Sequence, residues 1–122
     1  MRVRTALCLA AFLIASVFGV ALPASAADYA PLDCSRARLP SERAICSNYG
    51  LGQREARMAT LYDWTTSLVA MGQRGDMQGA QRDWLQEREN CGDRVGCLTE
   101  RYDARIRDLN STIEGIASRG PY

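Results

Sequence analysis

The side chains able to do chemistry crowd into the last third of this chain. Asp83 and Glu87 stand four residues apart, Trp84 precedes Arg88, Tyr102 precedes Arg105 and Ile106, and Cys91 and Cys97 fall between the two groups. A carboxylate pair can serve a glycosidase as acid and base, but only across a cleft, with the groups about 5–10 Å apart. Two carboxylates one helical turn apart share an exposed face, and Arg82 and Arg88 are near enough to pair with them. The expectation is a solvated salt-bridge face, with Glu42 and Glu55 as further carboxylates elsewhere. Trp, Tyr and Arg dominate protein interfaces. Here Trp84 falls within an apolar stripe and Arg88 lies one turn away, so a buried ring covered by a guanidinium is expected, with Tyr102 and Arg105 repeating the arrangement.

Two absences narrow the chemistry further. The chain contains no His and no Lys, which removes His-based triads, His metal sites, Schiff-base lysines and Ser–Lys pairs. No cofactor is implied, and no catalytic set is assembled.

Residues 1–26 read as a secretory signal peptide. Arg2 and Arg4 supply the positive start, Ala6 to Leu22 is an almost unbroken apolar run, and Ala24-Ser25-Ala26 fits small-residue cleavage. Cys8 lies near the start of that run and not directly after it, where a lipid would be attached, so no stable membrane anchor is expected after cleavage. Of the 15 basic residues Arg2 and Arg4 leave with the signal, so 13 face 14 acidic ones and the mature chain carries −1. Such balance offers no field for steering nucleic acid. An even set remains, Cys34, Cys46, Cys91 and Cys97, which in a short exported chain favours disulfides over metal. Their spacing matches no zinc pattern. Four cysteines admit three pairings. Cys34–Cys46 and Cys91–Cys97 are favoured because each closes a short loop beside a helix end.

Helical periodicity organises the rest. Pro40 opens a short helix to about Ser47, with Glu42 in its first turn but Leu39 where a capping hydroxyl would serve. Leu51, Met58, Leu61, Tyr62, Thr65, Leu68 and Val69 form one stripe of a long helix ending near Met71. Gly72-Gln73-Arg74-Gly75-Asp76 reads as a turn. Met77, Ala80, Trp84, Leu85, Arg88 and Cys91 mark the next helix, with Gly79 costing about 1 kcal/mol. Leu98, Tyr102, Arg105, Ile106, Leu109, Ile113 and Ile116 mark the last. The expected fold is all-α: a small antiparallel bundle of three main helices plus a short N-terminal one, stapled by two disulfides, with residues 117–122 frayed.

These positions resemble the lysozyme inhibitor LprI-like family, in its N-terminal domain. The matching elements are Cys34, Glu42, Ile45-Cys46, Tyr62, Gln81-Arg82, Trp84-Leu85, Arg88, Cys91, Cys97-Leu98, Tyr102, Arg105-Ile106 and Leu109, spread over residues 33–116. Arg54 departs from the pattern, which has an apolar residue there. The resemblance implies a helical fold, a periplasmic or secreted location, and binding and inhibition of lysozyme as a protein partner. The motif residues themselves read as structural.

A lysozyme inhibitor must block a cleft worked by two carboxyl groups. An exposed arginine on a rigid loop suits that task. Asp93, Arg94 and Val95 on the Cys91–Cys97 loop are the first expectation, because a stapled loop loses less entropy on binding. Arg74 on the Gly72–Asp76 turn is the second. The competing expectation is a general envelope interaction module, an accessory or immunity-type partner without lysozyme activity.

Overall fold

In the computed structural model, residues 31–120 are described; the segment 1–26, expected to be a signal peptide, lies outside them. A 3₁₀ turn at Cys34–Arg36 leads into four helices, α1 (Pro40–Ser47), α2 (Tyr49–Leu68), α3 (Met71–Asn90) and α4 (Val95–Ala117). The all-α bundle stands, stapled by Cys34–Cys46 and Cys91–Cys97.

Each helix boundary has a local cause. α1 begins at Pro40, and Leu39 contributes no side-chain cap. Glu42 compensates: its Oε2 accepts the amides of Arg38 at 2.7 Å and Leu39 at 3.0 Å, and these bonds hold its carboxyl below the usual range. Asn48 is the whole break between α1 and α2. Its backbone is extended, and its Oδ1 accepts the Leu51 amide at 3.0 Å, so it caps the following helix.

The expected turn at Gly72–Asp76 is helix, and the reversal is earlier. Val69 and Ala70 make the turn with extended backbone, and α3 starts at Met71. Val69 is buried and fixes the link. Helical geometry over 71–74 also brings Arg74 back onto α2, where its Nε donates to the Thr66 carbonyl at 2.9 Å and its Nη2 to Val69 O at 3.4 Å. Those bonds satisfy carbonyls that the end of α2 leaves orphaned. They give helix here an advantage that its glycines alone would not.

Consecutive long helices run antiparallel. Glu55 meets Arg88 while Met58 meets Gln81, and Arg88 meets Tyr102 while Gln81 meets Arg105. α2 and α4 therefore point the same way, and they share the most extensive helix interface. Leu51, Met58 and Tyr62 of α2, Trp84 of α3, and Leu98, Tyr102, Ile106 and Leu109 of α4 form the core, with Ile45 of α1 closing one end. Arg54, the departure from the family pattern, is half-buried and pairs with Asp103 of α4 at 2.8 Å. The first ten residues of α3 bury no side chain; its buried positions are Gln81, Trp84 and Arg88.

Candidate functional site

Two sets of side chains compete for a functional role: a buried polar network among the helices, and a surface groove beside the stapled loop. The network starts from the buried Glu55, a charged residue on the apolar face of α2. Its Oε2 accepts the Tyr102 hydroxyl at 2.6 Å and lies 3.7 Å from Arg88 Nη1, and its Oε1 accepts the Leu32 amide at 3.0 Å. Arg88 donates through Nη1 to Tyr102 at 3.4 Å and through Nη2 to Glu89 at 2.6 Å. Glu89 accepts the Ser41 hydroxyl of α1. One chain of polar contacts thus links the N-terminal lead-in and all four helices.

Trp84 packs edge-on against Tyr102, with ring centroids 5.2 Å apart, and Arg88 lies over Trp84 at 5.7 Å. The Trp84 Nε1 donates to the Arg101 carbonyl at 3.1 Å. The motif residues Glu42, Ile45, Tyr62, Gln81, Trp84, Leu85, Arg88, Leu98, Tyr102, Arg105, Ile106 and Leu109 thus cap helices or fill the interior, and most are buried. Buried Arg105 follows the same logic: Nε donates to Gln81 at 3.0 Å and Nη1 to Asp108 at 2.5 Å. The carboxylates of the salt-bridge face behave as surface groups, since Asp83 is exposed and Glu87 pairs with Arg101 at 2.8 Å.

Burial pushes the Tyr102 phenol well above its ordinary value, and the charge of Glu55 adds to the rise; Arg88 offsets part of it. A raised folded value means the fold favours the neutral phenol. Its contribution is complete below pH about 10 and is lost as pH climbs from there toward the folded value. Above pH 10 the wild type should lose about 1.4 kcal/mol per pH unit relative to Tyr102→Phe. Urea denaturation of both proteins between pH 8 and 12 measures the difference; parallel curves would refute it.

The groove lies where the predicted binding loop meets α1. Only Cys91–Arg94 separates α3 from α4, so the loop is shorter than the cysteine spacing suggests, and Cys97 sits in the first turn of α4. Gly92 makes the turn at φ +59°, a conformation that favours glycine. Arg94 is exposed, but its guanidinium folds back, with Nε donating to Cys91 O at 2.9 Å and Nη2 to Asn90 O at 3.0 Å. It does for α3 what Arg74 does for α2. Both arginines expected to meet a partner therefore cap helix C-termini. Asp93 and Val95 do project, into an open groove of about 380 Å³ whose other wall is Arg43, Ala44, Ser47 and Asn48.

Arg43 is the residue that sequence reasoning missed. Its Nη1 donates to the Arg38 carbonyl, which anchors the guanidinium to the segment just before α1. No local pattern marks it, because the groove joins segments far apart in sequence. A second depression, of about 430 Å³ and more apolar, lies between α1, α2 and Leu32, and a third, of about 270 Å³, is lined by Arg54, Arg57 and Asp103. Each of the three is lined by a single carboxylate residue. Among the described residues no cluster of His, Cys, Asp and Glu could hold a metal ion, and no helix is long and apolar enough to cross a membrane. Compared with protein families, curated proteins and solved structures, the chain matches none of them.

Proposed function

We propose that this is an exported, non-catalytic binding protein that inhibits a lysozyme-type muramidase by occluding its cleft, with the α1–loop face as the contact surface. The resemblance in the cysteine, Trp84 and Tyr102 pattern brings lysozyme into the reading. The observation that carries the contact surface is the groove between α1 and the Cys91–Arg94 turn, with a disulfide on each wall. A surface held in this way has little conformational entropy left to lose on binding. Asp93 and the half-exposed Val95 stand on it as a polar and an apolar contact.

A second reading draws on the opposite end of the bundle. Trp64 and Leu68 are 54% and 45% exposed on α2, and Met71 is 87% exposed at the start of α3. Apolar groups gathered at one corner suit a general envelope interaction module.

Lysis of a cell-wall suspension by a panel of purified lysozymes, with increasing amounts of the oxidised protein from Ala27 onward, separates the two. Saturable inhibition near stoichiometric protein is the expected result. A helical, thiol-free sample that slows none of the panel would discard the inhibitor and leave the interaction module.

A further inference from the structure

We propose that Arg43 and Asp93 are the specificity pair of the groove. Arg43 takes the ionised carboxylate of a muramidase cleft, and Asp93 accepts a hydrogen bond from its protonated carboxylic acid. The inference rests on the inhibitor reading and names the groups that such an inhibitor would recognise.

The two residues come from different walls, Arg43 from α1 and Asp93 from the turn between α3 and α4. They carry opposite charges in one groove, yet they form no ion pair with each other, and neither has a salt-bridge partner among the described residues. Arg43 is anchored through Nη1 alone. Its Nε and Nη2 have no partner among the described residues, and that edge of a guanidinium matches a carboxylate with two parallel hydrogen bonds. Asp93 is an exposed acceptor without a donor of its own.

The chemistry of the target fits this division. Glycoside hydrolases that use a carboxyl pair keep one group protonated as the general acid and the other ionised. One charged donor edge and one anionic acceptor therefore answer a donor and an anion on the opposing surface. Two arginines would leave the acid's proton without an acceptor, and two carboxylates would repel the ionised group. Ser41, donating to Glu89, and the Cys34–Cys46 bridge hold α1, while Cys91–Cys97 and Arg94 hold the turn. The two segments that carry the pair are in place before a partner arrives.

The test uses the oxidised protein and the lysozyme that it inhibits most strongly. Arg43→Gln is expected to raise the half-inhibiting concentration at least about tenfold, and Asp93→Asn about threefold to tenfold, both at wild-type helicity by circular dichroism. A double-mutant cycle supplies the readout that a merely structural role would not move. Changing the enzyme's ionised carboxylate to its amide should weaken binding to wild type by about tenfold more than binding to Arg43→Gln. Inhibition that persists unchanged in both variants, or a cycle in which the two changes are independent, overturns the Arg43–Asp93 assignment and leaves the inhibitor reading standing. A wild-type protein that inhibits no lysozyme removes both.

Discussion

Replacing Arg88 with alanine is expected to cost about 3–5 kcal/mol of folding stability, the usual result of stripping one partner from a buried ion pair. Arg88 is 5% exposed and contacts Glu55, Tyr102 and Glu89 on three helices, besides covering Trp84. Burial by itself would favour deprotonation of the guanidinium. The electrostatic interaction with Tyr102, the hydrogen bonds to Tyr102 and Glu89 and the charge of Glu89 outweigh it, and the net shift is upward. Without the guanidinium, the buried Glu55 carboxylate would lose the Arg88 charge beside it, and Trp84 would lose its cover. Equilibrium urea unfolding measures the loss. The double replacement Glu55→Gln with Arg88→Met should recover part of it, because it removes both members of the buried ion pair. A single mutant within about 0.5 kcal/mol of wild type would show that the network contributes little.

Loss of both disulfides is the second large effect. The bridges span sequence separations of 12 and 6 residues. On chain-entropy arguments they stabilise by about 3 and about 2 kcal/mol respectively, a large share of what a small domain possesses. Cys34–Cys46 should cost more than its loop length implies. It fixes the lead-in whose Leu32 amide donates to Glu55, so its removal reaches the interior network. Melting temperatures with and without a reductant, and of the paired serine variants, test the ranking. An unchanged midpoint in reductant would contradict it, and a greater loss from opening Cys91–Cys97 would reverse the order.

Much of this architecture is legible in the sequence for simple reasons. Apolar residues recur every three or four positions along α4, and Cys34, Cys46, Cys91 and Cys97 stand beside helix ends, so the last helix and the two short bridges can be read directly. The α2–α3 reversal is not legible. Gly72, Gly75, Arg74 and Asp76 carry every sign of a turn, and only the reach of Arg74 back to the Thr66 carbonyl makes helix the better choice. Glu55 resembles an interruption of its stripe, because its partners Tyr102, Arg88 and Leu32 come from distant segments. The groove was half visible. Asp93 and Val95 announce themselves on a cysteine-bounded loop, whereas the use of Arg94 depends on backbone carbonyls that no side-chain pattern records. Arg43 and Asp93 come to line one groove only once α1 and the turn after α3 have been placed together.

The parallel pairing of α2 with α4 also orders events in time. The buried face of α2, with Leu51, Met58 and Tyr62, packs chiefly on a helix that begins only at Val95. Closing that pair requires the whole of α3 to be looped out and returned, a non-local step that local helix formation cannot bypass. A chain emerging N-terminus first therefore cannot complete the packing of these side chains until α4 has emerged. The Cys34–Cys46 loop can close early, but the core cannot. Such a polypeptide completes its core late, when α4 arrives, an order that would suit the export proposed above.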